Sequence, residues 1–158
     1  MSSGTFTNKN HTVGLNQFHL EWCTKCRYEC MRNEWVRKII EECVRQAARE
    51  YGIIFHTLAV GTEHIHAFAS LPFNMSPTEA EGKIKGRSAY LIFRRIPNFR
   101  LRYPRGHFWS AGNFVRSISN VTSGAVKGYI ENQQFDKLNE TIEQVEREAA
   151  QLNLTGFL

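Results

Sequence analysis

Apolar and polar positions alternate with two different periods in the first part of the chain. Residues 15–23 alternate in steps of two, which is typical of a strand with one buried face. After Asn33, a good N-cap, apolar side chains recur every three or four residues as far as Ala47, and Gly52 follows. The pattern predicts a strand and then an amphipathic helix. Residues 1–14, which precede them, are predicted to be a flexible tail.

The next segments repeat this alternation between strand and helix patterns. Apolar, β-branched runs at 53–60 and 64–70 predict two strands joined by a short turn. Ser76 then begins a capping-box sequence, with proline at the first helical position and glutamate at the third. This sequence predicts a second helix that runs to about Arg95.

The remaining elements complete a recognisable order. We expect a basic loop at 97–104, strand-like pieces within 107–119, a helix at 122–134 and a final acidic helix at 136–152. The predicted order is βαββαβ followed by helices. It indicates an α+β fold: a ferredoxin-like or RRM-like antiparallel sheet with helices on one face, in one domain over residues 15–158. Because this fold hosts RNA binders, metal enzymes and nucleases, it does not determine function.

Composition narrows the class of protein. The chain has 158 residues, of which 42% are hydrophobic and 22% charged, so it is a globular domain and not a disordered one. No apolar run approaches the ~18 residues of a membrane helix. Because the N-terminus carries no apolar signal core, we expect a cytoplasmic protein.

Charge is distributed unevenly. Residues 131–158 hold six acidic and two basic side chains, so the first 130 residues carry +9 of a total net charge of +5. No acidic residue occurs from Gly82 to Ile130, and aromatic residues are interleaved with the basic ones there. Bases with aromatics suit single-stranded nucleic acid, since cations contact phosphates and rings stack on unpaired bases. The predicted DNA-contacting residues are Lys83, Lys85, Arg87, Arg94, Arg95, Arg100, Arg102, Arg105, Trp109 and Arg116.

The four cysteines allow two interpretations. Cys23, Cys26, Cys30 and Cys43 could together hold zinc, which favours tetrahedral thiolate sites. Cys23 and Cys26 fall at the end of a predicted strand, however, and Cys43 falls on the apolar face of the following helix. We therefore expect buried or half-buried free thiols.

Two pairs of residues carry candidate chemistry. His64 and His66 lie two residues apart on a predicted strand, so both imidazoles point to one face and can reach one metal ion or one phosphate. Tyr129 and Gln133 are four residues apart on a predicted helix and share a face. Each pair alone is also compatible with an ordinary structural role.

Five segments together resemble the single-tyrosine HUH transposases, small enzymes that move insertion sequences as single-stranded DNA. They occur in the family's order and spacing. These segments are Phe18–Lys25, His64–His66, Ile84–Ser88, Phe108–Val115 and Val126–Gln133.

The resemblance implies a division of roles. His64, His66 and Gln133 would bind a divalent cation, Mg²⁺ or Mn²⁺, and Tyr129 would be the nucleophile that becomes linked to a DNA 5′ end. The family's members are homodimers in which the tyrosine helix of one subunit completes the histidine site of the other, and we expect the same here. Two departures are visible: Asn113 stands where an aromatic residue is frequent, and Cys26 where tyrosine is common.

Other functions remain open at this point. A related tyrosine nuclease acting on repeats or replication origins would use the same chemistry. A catalytically idle single-strand-binding domain would keep the basic surface without the reaction. A small-molecule metalloenzyme would explain the histidine pair but not the long stretch without acidic residues.

Overall fold

The computed structural model describes residues 16–118 in full, the backbone of 7–9 and 12–14, and residues 127–128, 130–131, 143–144 and 147. The strands are β1 Thr7–Lys9, β2 Thr12–Gly14, β3 Gln17–Cys23, β4 Ile54–Val60, β5 His64–Ser70 and β6 Phe114–Ser117. The helices are α1 Glu34–Glu50, α2 Pro77–Arg95 and the short α3 Phe99–Arg102, with one 3-10 turn at Lys25–Arg27.

Both long helices begin at their predicted caps. The side chain of Asn33 accepts a hydrogen bond of 2.8 Å from the backbone N–H two residues later. Ser76 accepts one of 3.1 Å from the N–H of Glu79. These bonds satisfy N–H groups that have no partner within the helix. After α1 the chain turns at Gly52, whose φ of +69° favours glycine.

The main sheet has four antiparallel strands in the order β4-β5-β3-β6. Taken along the chain, its elements are β3-α1-β4-β5-α2-β6, so the predicted α+β class and βαββαβ order are confirmed. This order places β3, the first strand of the sheet in sequence, between β5 and β6. Residues from three different parts of the chain therefore meet on the centre of the sheet.

The hydrophobic core lies between the two long helices and one face of the sheet. The alternate residues of β3 and β5 that point to this face are large or tightly packed, and those of the helices recur at helical spacing. Fully buried members of the core are Leu20, Ile65, Ala67 and Ala69 from the sheet, and Ile40, Val44, Ile84 and Ile92 from the helices. The residues of β3 and β5 that lie between these core positions point to the opposite face of the sheet.

Two segments differ from the predicted secondary structure, and a third region lies mostly outside the described residues. The basic segment 97–104 contains α3 and is not entirely a loop, because Asn98 and its neighbours close helical hydrogen bonds. Within the predicted tail, β1 and β2 pair as a small antiparallel sheet. Most of the predicted helices at 122–134 and 136–152 lies outside the described residues.

Candidate active site

The face of the sheet away from the helices carries polar side chains at its centre. His19, Glu21 and Cys23 of β3 point to it, because the residues between them point into the core. In the register of β3 with β5, Glu21 lies directly opposite His66 and Cys23 opposite His64. Strand pairing therefore brings two histidines of β5 against a carboxylate of β3.

His66 is the centre of this group and is only 3% exposed. Its Nδ1 shares a hydrogen bond of 3.0 Å with Nε2 of His19, and the two rings lie within 9° of parallel. Its Nε2, on the other side of the ring, lies 3.8 Å from Oε1 of Glu21. The ligand atoms of His19, Glu21 and His66 all lie within 4.8 Å of one another.

Burial keeps the imidazoles of this group neutral. Burial, together with the neighbouring His19 and His64, lowers the pKa of His66 to about 3. Burial, together with Arg116, lowers the pKa of His19 to about 4. At neutral pH both rings are therefore uncharged, and the contact between His66 and Glu21 is not an ion pair. Burial also raises the pKa of Glu21, against the opposing effect of His64 and Arg27.

His64 lies beside this group. Its ring stands nearly perpendicular to that of His66, with centroids 5.0 Å apart, and its Nδ1 lies 3.3 Å from Oε1 of Glu63. The ring approaches the turn between β4 and β5 so closely that a β-carbon at Gly61 would lie 3.1 Å from Nε2. The predicted pair of His64 and His66 thus shares one face of β5, and any side chain at Gly61 would require the His64 ring to shift by a few tenths of an ångström.

Tyr129 and Gln133 lie outside the described residues. Their described neighbours lie near the sheet: Ile130 is fully buried, and with Glu131 it lines a groove of about 460 Å³ formed with β4 and α1.

A second cavity, of about 330 Å³, adjoins Glu21 on the side of β6. It is lined by Glu21, Trp22, Cys23, Arg27, Ser110, Gly112, Asn113 and Phe114. The loop that forms its wall is fixed by Lys85, whose Nζ donates to the carbonyl oxygens of Ser110 at 3.0 Å and Gly112 at 2.8 Å, and to Oδ1 of Asn113. The carboxylate at the centre of the sheet therefore borders an open space large enough for part of a substrate.

The donors of this group fit a divalent cation. Imidazole nitrogens and a carboxylate oxygen are ligands that Mn²⁺ accepts, and the carboxylate also suits Mg²⁺. Within the part of the chain that the structure describes, His19, Glu21 and His66 form the group of three such ligands close enough to share an ion, whereas the four cysteines are free thiols that form no such group.

Comparison with known proteins identifies the family. Residues 12–133 match the family described as "Transposase IS200 like". This match covers most of the chain. The chain belongs to the IS200-like transposase family. Its members are tyrosine HUH enzymes that cleave DNA and transfer strands, so the predicted family and enzyme class are confirmed.

Individual relatives agree with this assignment. The transposase is 26% identical over 117 residues to the ISDra2 transposase TnpA of Deinococcus radiodurans, covering 74% of this chain and 83% of the relative. It is 23% identical over 133 residues to the transposase of insertion sequence IS200 from Salmonella typhimurium, covering 84% of this chain and 86% of that relative. A solved structure assigned as a Deinococcus radiodurans transposase superposes with a TM-score of 0.64 at 24% identity, covering 80% of this chain and 97% of that one.

The transposase keeps several predicted DNA-contacting residues on its helix layer, away from the histidines. Arg87 donates to both carboxylate oxygens of Glu50, at 2.7 and 3.2 Å, and Arg95 donates to Glu42 at 2.6 Å. These pairs join α2 to α1. The other predicted residues of α2 have local partners too: Lys83 pairs with Glu79, Arg94 donates to Tyr90, and Lys85 holds the loop described above.

Trp109 is also placed away from solvent. It is 6% exposed, and its indole N–H donates to the hydroxyl of Ser88 at 2.9 Å. Its ring packs edge-to-face against Trp22. The expectation that this ring stacks on a DNA base does not agree with its burial, because a core indole presents no free face.

The side chains of the remaining predicted residues are exposed or half-buried. Arg102 lies over the ring of Tyr28, 4.4 Å from its centroid, and lines a basic cavity of about 210 Å³ that Lys25 and Arg105 also border. Arg100 lies 4.8 Å from the centroid of Phe93. Arg116 of β6 is paired in register with His19, so it shares the histidine face of the sheet.

No helix in the described part of the chain is long and apolar enough to cross a membrane.

Sequence reasoning missed His19 and Glu21. A signal was present, because Gln17, His19, Glu21 and Cys23 form a polar alternation within an otherwise apolar strand. This alternation does not show which other strand pairs with β3. Only the pairing of β3 with β5 shows that the two polar faces meet.

Proposed function

We propose that this transposase cleaves and rejoins single-stranded DNA through a covalent bond between Tyr129 and a 5′ phosphate, with a divalent cation at the histidine face. One observation carries the proposal: a chain of the IS200-like family holds a neutral, buried His66 beside His64 and a carboxylate at the centre of its sheet. Neutral imidazoles at this depth are ready to act as metal ligands.

The proposed ligands from the sequence are His64, His66 and Gln133, and the ion is Mg²⁺ or Mn²⁺. When bound, the cation offsets the charge that develops on the scissile phosphate and fixes that phosphate for in-line attack. The chain's own contribution is to hold the imidazoles in place: strand pairing sets the position of His66 against Glu21, and burial keeps the His66 ring uncharged.

The proposed reaction conserves the number of phosphate ester bonds. The phenol oxygen of Tyr129 forms a bond to phosphorus, the bond from phosphorus to the 3′ oxygen breaks, and the proton lost by the phenol is balanced by one gained at the 3′-OH. In the reverse sense a 3′-OH attacks the phosphotyrosine and frees the tyrosine. Because the energy of the ester is retained, this chemistry suits cutting followed by rejoining.

The proposed DNA contacts are Arg116 on the histidine face and the exposed Arg100, Arg102 and Arg105 of the basic segment. The substrate we propose is a hairpin-bearing single strand from the end of an insertion sequence. Rings beside these cations, such as Tyr28, suit unpaired bases. A hairpin-bearing single strand should therefore bind more tightly than a duplex of the same sequence.

The decisive experiment is a test for the covalent adduct. Protein, Mn²⁺ and a labelled single-stranded element end are incubated, denatured in SDS and separated by electrophoresis. We expect a labelled adduct with the wild type that needs the cation, and none with Tyr129→Phe. An adduct that persists in Tyr129→Phe would assign the nucleophile elsewhere, and DNA binding without any adduct would support an idle binding domain.

We also propose a homodimer whose sites are shared between subunits. The test mixes a Tyr129→Phe subunit with a His64→Ala subunit, each inactive alone. With sharing, one site of the mixed dimer receives both defects and the other receives none, so cleavage returns. Heterodimers that form, as shown by differential tags, and remain inactive would place the tyrosine in the same chain as its histidines.

A further inference from the structure

The geometry points to Glu21 as a direct protein ligand of the divalent cation, alongside His64 and His66. We propose that its carboxylate completes a metal site built on β3 and β5 of a single chain. This inference rests on the proposed function, because it concerns the same cation. It adds a ligand that neither the histidine motif nor the tyrosine helix supplies.

The position of Glu21 places its carboxylate close to His66. Glu21 lies directly opposite His66 in the β3–β5 register, and its Oε1 is 3.8 Å from His66 Nε2. Two atoms bound to one ion at about 2.1 Å lie about 3 Å apart when adjacent and about 4.2 Å apart when opposite each other. The observed separation falls between these values, so both atoms can reach one ion without a change in the strand pairing.

The orientation of the His66 ring also favours an ion shared with Glu21. Its Nδ1 is held by His19, so its Nε2 is the nitrogen that faces Glu21. For Nε2 to offer a lone pair, Nδ1 must carry the proton and donate it to Nε2 of His19. His19 is therefore occupied as an acceptor and acts as a positioning residue, in the way that outer partners fix the ring of a metal-bound histidine.

The charge of Glu21 also suits a bound cation. Glu21 is half-buried, and in the described part of the chain its contact at salt-bridge distance is to His66. The nearby Arg27 lies 3.5 Å from Glu63. A divalent cation between Glu21 and His66 would place a positive charge directly against the carboxylate.

The inference is tested by Mn²⁺ binding to the full chain without DNA, using calorimetry and the loss of the free-Mn²⁺ EPR signal. We expect about one ion per chain in the wild type, and affinity that is at least about tenfold weaker in Glu21→Gln. Glu21→Asp keeps the charge on a shorter side chain and should bind with intermediate affinity. Glu34→Gln removes an exposed carboxylate of α1 and should bind as the wild type does.

A change in metal preference distinguishes a direct metal ligand from a residue that is needed only for folding. Replacing a carboxylate with an amide removes the hard anionic ligand, so the ratio of Mn²⁺ to Zn²⁺ affinity should fall in Glu21→Gln. Loss of folding would not change this ratio. If Glu21→Gln proves unstable by circular dichroism, Glu21→Asp provides the same comparison.

The possible failures are distinguishable. If His64→Ala and His66→Ala lose Mn²⁺ while Glu21→Gln binds as the wild type does, Glu21 is not a ligand and the proposed function stands. If the wild type binds no Mn²⁺ and forms the adduct without a cation, the metal part of the proposed function fails and this inference fails with it.

Discussion

At the scale of single residues, the hydrogen bond between His19 and His66 links a fully buried side chain to the candidate metal site. His19 is fully buried, with Phe114 packed edge-on against its ring at a centroid distance of 5.8 Å. Its position leaves the ring little freedom. It therefore fixes which nitrogen of His66 faces outward.

This positioning role predicts a specific pair of variants. His19→Phe fills the space but accepts no hydrogen bond, and we expect Mn²⁺ affinity to fall by about tenfold or more. His19→Gln restores an acceptor and should recover most of the affinity. Calorimetry at equal folded fraction measures both. Equal affinity in the two variants would show that the hydrogen bond does not matter.

Glu81 gives a prediction about pH. It is fully buried on α2, and burial raises the pKa of its carboxyl to about 8, against the opposing charge of Lys85. In the unfolded chain the carboxyl has its ordinary pKa of 4.5. The folded protein therefore binds a proton that the unfolded chain has lost, and this contribution to stability declines as pH rises through about 8.

Glu81→Gln should remove this dependence. The variant and the wild type should have similar free energies of unfolding near pH 5. Near pH 9 the variant should be the more stable, by a few kcal/mol at most. Urea titration at the two pH values measures the difference. A constant difference at both would show that Glu81 is ionised in the folded state.

At the scale of elements, Lys85 joins α2 to the loop before β6. Lys85→Met removes a charged donor from three acceptors, so we expect a loss of about 2 kcal/mol in the free energy of unfolding. Lys83→Met, on the same helix, removes an exposed pair with Glu79 and should change stability by about 0.5 kcal/mol or less. Thermal unfolding compares the two. Equal effects would mean that the loop does not depend on Lys85.

The elements themselves were predicted well because their signals are local. The caps at Asn33 and Ser76, the proline at the start of α2 and the periodicity of each segment are all properties of neighbouring residues. β5 was predicted at its observed bounds, and so was α2. The order of elements followed, since few topologies accept it.

The partners of individual side chains were not predictable in this way. That Arg87 meets Glu50, or that Trp109 is buried against Ser88, depends on how α1, α2 and the loop before β6 pack in space. A run of basic residues looks the same in sequence whether it faces DNA or a neighbouring helix. The same limitation concealed Glu21, which becomes part of the candidate site only through strand pairing.

At the scale of the whole molecule, the sheet separates two basic surfaces. Arg116 lies on the face that carries the histidines, whereas Arg87 lies in the helix layer and pairs with Glu50. We expect Arg116→Gln to weaken binding of single-stranded DNA and to reduce the slope of log affinity against log salt by about 0.7.

Arg87→Gln is the matched control for this prediction. It should leave both the affinity and the salt slope nearly unchanged, because Arg87 lies on α2, on the opposite side of the sheet from the histidines. Fluorescence anisotropy over a range of salt concentrations measures both variants. If Arg87→Gln has the larger effect, DNA binds over the helices.

The alternation of β3 determines how this strand tolerates mutation. Its even-numbered residues, such as Leu20, fill the core, and its odd-numbered residues, such as Glu21, face the candidate site. In a saturation scan read out separately for protein abundance and for transposition, the effects of mutation along the strand should therefore alternate with a period of two residues. Changes at even positions should deplete the protein itself, whereas changes at odd positions should leave protein that accumulates and does not move DNA. Few substitutions in such a strand should be neutral, because each residue is needed either for stable folding or for transposition.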